Sequence, residues 1–400
     1  MTKEVRIGII GGMGRGPYVG QMFNETGKAA VVAVADVNPK SFEVGRERFA
    51  TRGANPDLYT DVAEMLRRDD LDWVIVGTPD RTHFALAKQA IEAGKNVFVE
   101  KPLTQTTADA DELCRLVARS GVKVVVGFEL RFAPMAVALR NAVARGMIGR
   151  PVIGLFIDHL GRGYTYFLRD HRQKRWGRGL LMQKGVHSLD LVNFYVDSDP
   201  VRVFGTGGLD FYGRESEAAG RHCRECSKKD ECKFSFYTVE SETWKKGGPR
   251  EKGDHAFDHC VFMPDTDAED NMHLVVDYAS GFRLTYTSVY FAPVYNRHEV
   301  MLWGTEGALH GVMEGGADKI VFTPIGGARE MKGVEVPVER SVGGHGGGDV
   351  RFAEAIVAAT LSGAPIRPDV YDGRAAVALA EFGLKSIETG RPIAIPPRPR

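Results

Sequence analysis

The sequence lacks a long hydrophobic run. No stretch of eighteen consecutive apolar residues occurs in the 400-residue chain, so no segment is predicted to span a bilayer. It also lacks a net charge, because 52 Lys and Arg residues balance 52 Asp and Glu residues. This balance gives no electrostatic bias toward nucleic acid or an anionic membrane surface. The first residues lead directly into a predicted strand, and we expect a cytoplasmic protein without a signal peptide.

Cysteine is scarce, with five residues, but four of them cluster in the second half of the chain. In a reducing compartment such a cluster more often binds metal than forms disulfides. Four thiolates are the ligand set that tetrahedral zinc prefers, and reduced cysteines or an iron–sulfur cluster stay open as alternatives. His222, His255 and His259 could replace one ligand. The predicted zinc ligands are Cys223, Cys226, Cys232 and Cys260.

Short apolar runs alternate with helix-like segments through the first third of the chain. The runs are nearly continuous in apolar residues, as expected of parallel strands that are covered on both faces. Their alternation with helices predicts a doubly wound parallel sheet with right-handed crossovers. The predicted strands are 5–10, 31–35, 71–77, 96–99 and 122–127, and the predicted helices are 17–23, 41–50, 61–68, 83–93 and 108–120.

After residue 131 the pattern changes. Strands with alternating apolar residues predict an α+β domain with a large, mostly antiparallel open sheet. We therefore expect two domains, 1–130 and 131–400, with a cysteine-containing insertion near 213–260. The predicted strands include 151–159, 272–277, 282–290 and 299–304, and the predicted helices include 134–145, 350–361, 372–389 and one containing His187.

A glycine-rich turn follows the first predicted strand and reads GGMGRG at 11–16. Glycine permits the sharp turn and the close approach of backbone to a pyrophosphate, and the next helix N-terminus attracts the phosphate charge. Met13 stands where the G-x-G-x-x-G pattern has its second glycine, between two other glycines. Asp36 ends the second strand, where a carboxylate accepts both ribose hydroxyls and repels a 2′-phosphate. We predict NAD as the cofactor in preference to NADP.

The segment AGKNVFVEKP at 93–102 places Lys101 directly after a further parallel strand. Ligands of open α/β sheets bind beyond the carboxyl ends of the strands. A lysine there can reach a nicotinamide ring and a substrate hydroxyl together. Burial and the like charge of the nicotinamide should lower its pKa, which suits a proton relay. This placement favours a redox enzyme.

These segments together resemble the Gfo/Idh/MocA family, the glucose–fructose oxidoreductase and inositol dehydrogenase group. The matching pieces are GIIGG at 8–12, Asp36, Thr78-Pro79 with His83, AGKNVFVEKP at 93–102, GFELRFAP at 127–134, GMIG at 146–149, LLMQKGVHSLDL at 180–191 and GGHGGGD at 343–349. The resemblance implies an NAD-binding Rossmann domain at 1–130 and, at 131–400, a domain whose open sheet binds sugars and often mediates oligomerisation. The predicted cofactor contacts are Gly11, Gly12, Met13, Gly14, Asp36, Thr78, Pro79, His83, Glu100, Lys101 and Arg131.

The resemblance also implies that Lys101 hydrogen-bonds the reacting oxygen and that His187 acts as general acid or base. Many family members carry an aspartate four residues before this histidine, where this sequence has Gln183. Lys184 follows, one helical turn from His187, and two neighbouring cations depress each other's pKa. We predict Lys101, His187 and Lys184 as the catalytic set. The predicted substrate contacts are Lys101, Arg162, Tyr166, Lys184 and His187.

The predicted function is NAD-dependent transfer of hydride from a hydroxyl of a sugar, polyol or glycoside, by a homodimer or homotetramer. The basic and aromatic stretch 162–176 makes an anionic glycoside one hypothesis, with a solvated loop as its alternative. A redox-assisted glycosidase or lyase with a transient keto-sugar and recycled NAD stays open, because Gln183 replaces the aspartate. A non-catalytic NAD- or sugar-binding sensor is the third candidate, and the presence of Lys101 and His187 argues against it.

Overall fold

A computed structural model describes the chain over residues 4–49, 55–214, 222–239, 258–314, 317–326, 332–340 and 343–399. Much of the predicted insertion at 213–260, including His255, lies outside these ranges, so the insertion is described only in part. Among the described helices none combines the length and the apolarity that crossing a bilayer requires.

The first sheet is parallel, as predicted, and within the described ranges it has six strands in the order β3-β2-β1-β4-β5-β6. This order places a topological switch point between β1 and β4, where ligands of such sheets bind. The strands are β1 Val5–Ile10, β2 Ala29–Ala35, β3 Asp57–Tyr59, β4 Trp73–Val76, β5 Asn96–Val99 and β6 Val124–Val126, and the helices between them are α1 Arg15–Glu25, α2 Lys40–Phe49, α3 Val62–Leu66, α4 His83–Glu92 and α5 Thr107–Ser120.

Both faces of this sheet are buried, which explains the continuous apolar runs. In β4, Trp73 and Ile75 enter one hydrophobic cluster and Val74 and Val76 enter the other. Because neither face reaches solvent, the side chains available for function are those at the carboxyl edge of the sheet.

The second sheet is mixed and mostly antiparallel, which confirms the predicted fold class. Its described strands run β14-β13-β12-β11-β7-β10-β9-β8-β15, and β7 with β10 is the parallel pair among them. The strands are β7 Pro151–His159, β8 Pro200–Gly208, β9 Asn271–Tyr278, β10 Arg283–Val289, β11 Arg297–Gly304, β12 Gly307–Met313, β13 Lys319–Pro324, β14 Val334–Val336 and β15 Ile393–Ala394. The helices in this half are α6 Pro134–Ala144, α7 Tyr164–Phe167, α8 Lys174–Gly177, α9 Val186–Val196, α10 Phe236–Val239, α11 Gly344–Ser362 and α12 Val370–Thr389.

Residues near the C-terminus return to the first sheet. Phe352 and Ile356 of α11 pack in the cluster that contains Trp73, and the Trp73 indole donates to Thr360 Oγ1 at 3.0 Å. The first turn of α11 is left-handed at His345 (φ 47°) before the regular helix begins. The late helices therefore bridge the two sheets and bring His345 to the boundary between them.

A π-helical turn, Leu181–Gly185, precedes α9. Such turns insert an extra residue into a helix and occur frequently at functional sites. Here the turn carries Lys184, and α9 carries His187 in its first turn. The helix packs on the inner face of the second sheet, so these side chains lie between the two sheets.

Candidate active site

The glycine-rich loop lies between β1 and α1 at the carboxyl edge of the first sheet. Gly11 has φ +106°, and a Cβ there would lie 2.9 Å from the Gly77 carbonyl oxygen, so a larger residue would both strain the backbone and clash. Asp36 Oδ2 accepts from the Gly12 amide at 2.7 Å. No side chain caps the N-terminus of α1 at Gly14, so its first amides can bind an anion.

His83 joins two loops of the same edge. It is buried, with Nδ1 2.7 Å from the Pro102 carbonyl oxygen and Nε2 2.9 Å from the Thr78 carbonyl oxygen. Because both ring nitrogens contact backbone, we interpret His83 as positioning the loop of Thr78 and Pro79 against the turn that holds Lys101, rather than as a direct cofactor contact.

Arg131 is a buried structural residue. Its guanidinium forms two hydrogen bonds with Asp190, at 2.7 and 2.6 Å, and lies 3.3 Å from Asp372. The described contacts therefore show Arg131 joining α9 and α12, and its predicted role in binding the cofactor stays a prediction. The motif could not reveal this, because both carboxylates come from distant segments.

A network around Arg15 underlies the site. Arg15 Nε donates to Glu100 Oε1 at 2.9 Å, Nη2 pairs with Glu129, and Asp349 lies 4.0 Å away. Asp349 Oδ1 is also 2.8 Å from His345 Nδ1. Burial and the neighbouring Glu100 charge together raise the pKa of Glu129 to about 7, against the opposing charge of Arg15. We call Arg15, Glu100, Glu129, His345 and Asp349 the Arg15 network.

Lys101 reaches across from the first sheet to the π-helical turn. Its Nζ donates to the Gln183 carbonyl oxygen at 2.8 Å, and its backbone amide donates to Glu100 Oε2 at 3.2 Å. Burial lowers the pKa of Lys101, Asp80 and Glu100 oppose the decrease, and Lys184 adds to it. Glu100 therefore contacts the backbone of Lys101, and its predicted role as a cofactor contact stays a prediction.

His187 is buried, and its Nδ1 has no hydrogen-bond partner among the described residues. Burial lowers its pKa well below the ordinary value, and the charges of Lys101 and Lys184 lower it further. Since the charges of both lysines influence the pKa of His187, the three predicted catalytic residues lie near one another. The imidazole is neutral at physiological pH.

Several buried polar atoms around these residues lack a hydrogen-bond partner within the described part of the chain. Buried polar atoms are normally paired, so such a group marks a place where a ligand or water completes the hydrogen bonds. The atoms are Asp80 Oδ2, Glu129 Oε2, Asp158 Oδ1, His171 Nδ1, Gln183 Oε1, His187 Nδ1 and His298 Nδ1. The cleft is therefore suited to a ligand with many hydroxyl groups.

Glu129, His187 and His345 bring three potential metal ligands within 4.8 Å of one another, the one such group among the described residues. The surrounding charges oppose a dication there. Arg15 already pairs with Glu129, and the positive charges that keep His187 neutral would repel a metal ion. We therefore interpret the group as a proton-holding cluster.

The four cysteines do not form a metal-binding group in the described residues. Cys223 is buried, while Cys226, Cys232 and Cys260 are partly exposed. Burial raises the pKa of the Cys223 thiol to about 11. The geometry gives no support to the predicted zinc site.

Of the two other predicted substrate residues, Tyr166 lies nearer the site. Its ring lies edge-on to the Tyr290 ring, with 5.7 Å between the ring centroids. Burial raises the pKa of Tyr166 to about 12, the charge of Arg169 opposes this increase, and the charge of Asp158 adds to it. The backbone amide of Arg162 donates to Asn296 Oδ1 at 3.1 Å.

The basic stretch around these residues is neutralised in part by downstream acids. Arg172 pairs with Asp265, and Lys174 pairs with Glu269. These cations are therefore engaged within the protein, which weakens the hypothesis that the stretch recognises an anionic glycoside.

Five residues of the site were not predicted: Asp80, Glu129, Asp158, His298 and His345. Two lie in motifs quoted above, Glu129 in GFELRFAP and His345 in GGHGGGD. Asp158 had its own signal, since it takes an inward position in β7, where the alternation otherwise places Gly154 and Phe156. No sequence signal distinguishes His298.

A parallel sheet with a dinucleotide loop, joined by a polar cleft to an open sheet, defines a two-domain oxidoreductase that binds a dinucleotide. The family model described as "Oxidoreductase family, NAD-binding Rossmann fold" matches residues 5–128. The model described as "Oxidoreductase family, C-terminal alpha/beta domain" matches residues 140–395. The chain belongs to the Gfo/Idh/MocA family of NAD-binding oxidoreductases.

Similar proteins include both curated sequences and solved structures. YteT of Bacillus subtilis (strain 168), named as an oxidoreductase, is 29% identical over 388 residues, which cover 90% of this chain and 87% of YteT. Inositol 2-dehydrogenase 1 of Saccharopolyspora erythraea is 32% identical over 204 residues, which cover 50% of this chain and 56% of that protein. Levoglucosan dehydrogenase, in complex with NADH and levoglucosan, superposes with a TM-score of 0.77 at 17% identity, over 99% of this chain and 100% of its own. At this identity the structural likeness shows the fold alone.

Proposed function

We propose that this protein is an NAD-dependent dehydrogenase that oxidises a secondary hydroxyl of a sugar, polyol or glycoside. The observation that carries the proposal is the convergence of Lys101, Lys184 and His187 in a cleft lined by buried polar atoms without protein partners. Relatives named as dehydrogenases of inositol and levoglucosan support the substrate class.

The residues of the first sheet fit NAD. The loop at Gly11 to Gly14 packs closely on Gly77 and Ser41, while Gly14 has no neighbouring atom within 4 Å of a Cβ position, which leaves its backbone open to a pyrophosphate. Asp36 ends β2 and offers a carboxylate to the ribose hydroxyls, which favours NAD over NADP. When bound, NAD would accept the hydride, and side chains of the protein must accept the hydroxyl proton.

Oxidation of a CH–OH carbon to a carbonyl removes a hydride and a proton. The Lys101 amine, with its pKa lowered by burial, accepts the hydroxyl proton. His187 is neutral and can hydrogen-bond the same oxygen or its neighbour through the unpartnered ring nitrogen. Burial and the charge of Lys101 lower the pKa of His187, and Lys184 adds to this by like-charge repulsion and can donate to a further hydroxyl.

The test is a panel of monosaccharides, polyols, uronates and glycosides, with the absorbance of reduced cofactor and the products followed together. We expect net NADH formation with at least one compound. Sugar cleavage without net NADH would instead indicate a redox-assisted glycosidase or lyase. Binding of NAD and sugar with no turnover across the whole panel would contradict an enzyme and favour a sensor.

We further propose that the enzyme is a cytoplasmic homo-oligomer that associates through the outer face of the second sheet. This face carries exposed apolar side chains on neighbouring strands, including Ile153, Phe204, Val275 and Trp303. Exposed apolar side chains grouped on one face of a sheet are typical of a protein interface.

A structural zinc bound by the cysteines stays a separate prediction, and the described residues show no cysteine group with metal-binding geometry. Metal analysis of the purified protein decides it. One zinc per chain, lost in a Cys226→Ser variant, would establish the site, and a metal-free folded protein would exclude it.

A further inference from the structure

Glu129, His187 and His345 lie together but differ in their access to solvent. Glu129 is fully buried and His187 is 4% exposed, whereas the His345 side chain is 33% exposed. One carboxylate oxygen and one nitrogen of each histidine lie within 4.8 Å of one another. A single water molecule can bridge such a separation. His345 is therefore the member of this group through which the buried histidine can exchange a proton with solvent.

A carboxylate holds the His345 ring in place. Its Nδ1 lies 2.8 Å from Asp349 Oδ1, and the Tyr18 hydroxyl donates to Asp349 Oδ2 at 2.8 Å. A histidine whose one ring nitrogen is bound by a carboxylate keeps the other nitrogen for a proton transfer partner. The centroids of the His345 and His187 rings are 5.6 Å apart. The two imidazoles are thus neighbours, and the outer one is anchored.

The backbone around His345 fits this arrangement. His345 is left-handed, with φ 47° and ψ 43°, a conformation that is uncommon outside glycine and that clusters at functional sites. A Cβ at Gly344 would clash with the Asp349 carboxylate. A Cβ at Gly348 would clash with the Glu129 backbone. The loop can therefore bring His345 and Asp349 this close to Glu129 only with glycine at both positions.

The surrounding charges favour a proton on His345 over one on His187. Burial opposes the charged form of His345, but the hydrogen bond with Asp349 and the charge of Glu129 raise its pKa above the ordinary value, against the charge of Arg15. Burial and neighbouring cations lower the pKa of His187 well below the ordinary value. A proton that reaches His187 is therefore more stable on His345.

We infer that His345 is a relay residue, which takes the proton of the reaction from His187 through a bridging water and delivers it to solvent. Asp349 is a positioning residue that holds the relay imidazole. This route separates the exit of the proton from the exit of the sugar product.

The transfers balance for one proton. The inference rests on the proposed function, in which Lys101 takes the hydroxyl proton. Water that replaces the ketone product connects Lys101 with His187, so that an N–H bond of Lys101 breaks and one forms on His187. That bond breaks as an N–H bond forms on His345, which releases the proton to solvent. No electrons move in these steps, and each group returns to its starting protonation.

The test follows proton release and NADH formation in the same stopped-flow turnover of the NAD-loaded protein, with a pH-indicator dye in weak buffer. The substrate is a sugar that the panel above shows to be oxidised. In the wild-type protein the two signals should coincide. In His345→Asn proton release should lag behind NADH formation about tenfold, because asparagine accepts the left-handed backbone but cannot carry the proton.

His310→Ala is the matched control. His310 also pairs with a carboxylate, Glu299, at 2.9 Å, but it is exposed on β12. Its two signals should coincide as in the wild-type protein. Equal slowing of both signals in His345→Asn would indicate a substrate contact or a structural role, and it would overturn the relay, as would signals that still coincide.

Chemical rescue provides a second variant if His345→Asn does not fold. His345→Gly relieves the left-handed backbone and leaves space for a free imidazole. Added imidazole should shorten the lag of His345→Gly about threefold or more and leave the wild-type protein unchanged. No response to imidazole would overturn the inference. NADH formation without a lag in the variants overturns the relay alone, whereas no NADH from any sugar overturns the proposed function and the relay with it.

Discussion

The two sheets of this protein present functional side chains in different ways. The first sheet is covered on both faces, so Gly11, Asp36 and Lys101 serve the site from its carboxyl edge. The second sheet is covered by α9 on one face, and Asp158 and His298 stand on that face, beneath the helix. A parallel sheet covered on both faces can place functional side chains only at its edge, whereas the second sheet places them on its covered face, beneath the helix.

The difference has a consequence for charge. At the edge, Lys101 contacts the Gln183 carbonyl oxygen of the π-helical turn and Glu100, next to it in the chain. On the face, Asp158 contacts residues from a helix and from neighbouring strands. In the proposed mechanism, the edge supplies the reacting amine and the face surrounds it with buried polar groups.

The largest expected effect is at the edge. Lys101→Ala should lower kcat by about 10²–10⁴-fold, because it removes the proton acceptor, while NADH binding followed by fluorescence stays intact. Lys88→Ala, on exposed α4, is the control and should turn over normally. If Lys101→Ala turned over at close to the wild-type rate, the proposed role of Lys101 as proton acceptor would be wrong.

The next largest effect is expected for His187 on α9, the helix that covers one face of the second sheet. His187→Ala should lower kcat by about a hundredfold, because the neutral imidazole no longer orients the substrate oxygen. His273→Ala is the matched control, since His273 lies on the outer face of the same sheet and contacts Thr287. Equal losses in both variants would show that the measured effect is general destabilisation.

Cofactor choice gives a smaller effect at the edge. Asp36→Ala should weaken NAD relative to NADP by about ten- to a hundredfold in kcat/KM, because a charged hydrogen bond to the ribose is lost and repulsion of the 2′-phosphate is relieved. Asp69→Ala, at an exposed position, should leave the ratio unchanged. An unchanged ratio in Asp36→Ala would contradict the assigned ribose contact.

The pH dependence connects edge and face. Turnover requires the neutral Lys101 amine, so it rises with pH through the lowered pKa of that group. Asp80 raises this pKa, and Asp80→Asn should move the acidic limb of the kcat profile to lower pH. Lys184 lowers it, and Lys184→Met should move the limb to higher pH, each by about one pH unit. Shifts in the same direction would contradict the assignment of Lys101 as the base.

The smallest effect on turnover is expected on the uncovered face of the second sheet. Ile153→Asp places a charge within the proposed interface and should lower the molar mass measured by light scattering, with turnover retained. Leu361→Asp, exposed at the end of α11, is the control. An unchanged mass in Ile153→Asp would place the interface elsewhere or show a monomer.

Most of the architecture could be predicted from the sequence. Two strands that lack a clear apolar pattern were among the exceptions. Asp57–Tyr59 has no apolar run, and Pro200–Gly208 contains three glycines, so neither gives the usual periodic signal. Both pair with a neighbouring strand whose pattern is clear, and that pairing stabilises them.

Site residues could be predicted where a motif coincides with the end of a strand. Lys101 and Asp36 are of this kind, since the end of a parallel strand fixes where the side chain lies. Arg131 shows the limit of a motif, because its role depends on Asp190 and Asp372, which approach only after α9 and α12 have packed.

The sequence by itself determined the parallel sheet, the dinucleotide loop and the lysine at the strand end, because local periodicity and turn chemistry depend on neighbouring residues. Tertiary structure alone decided that Glu129, His187 and His345 meet, and that Asp158 contacts Ser188 of α9. These groups belong to separate elements, and the burial and charge that set their chemistry exist only once the two sheets and the late helices pack together.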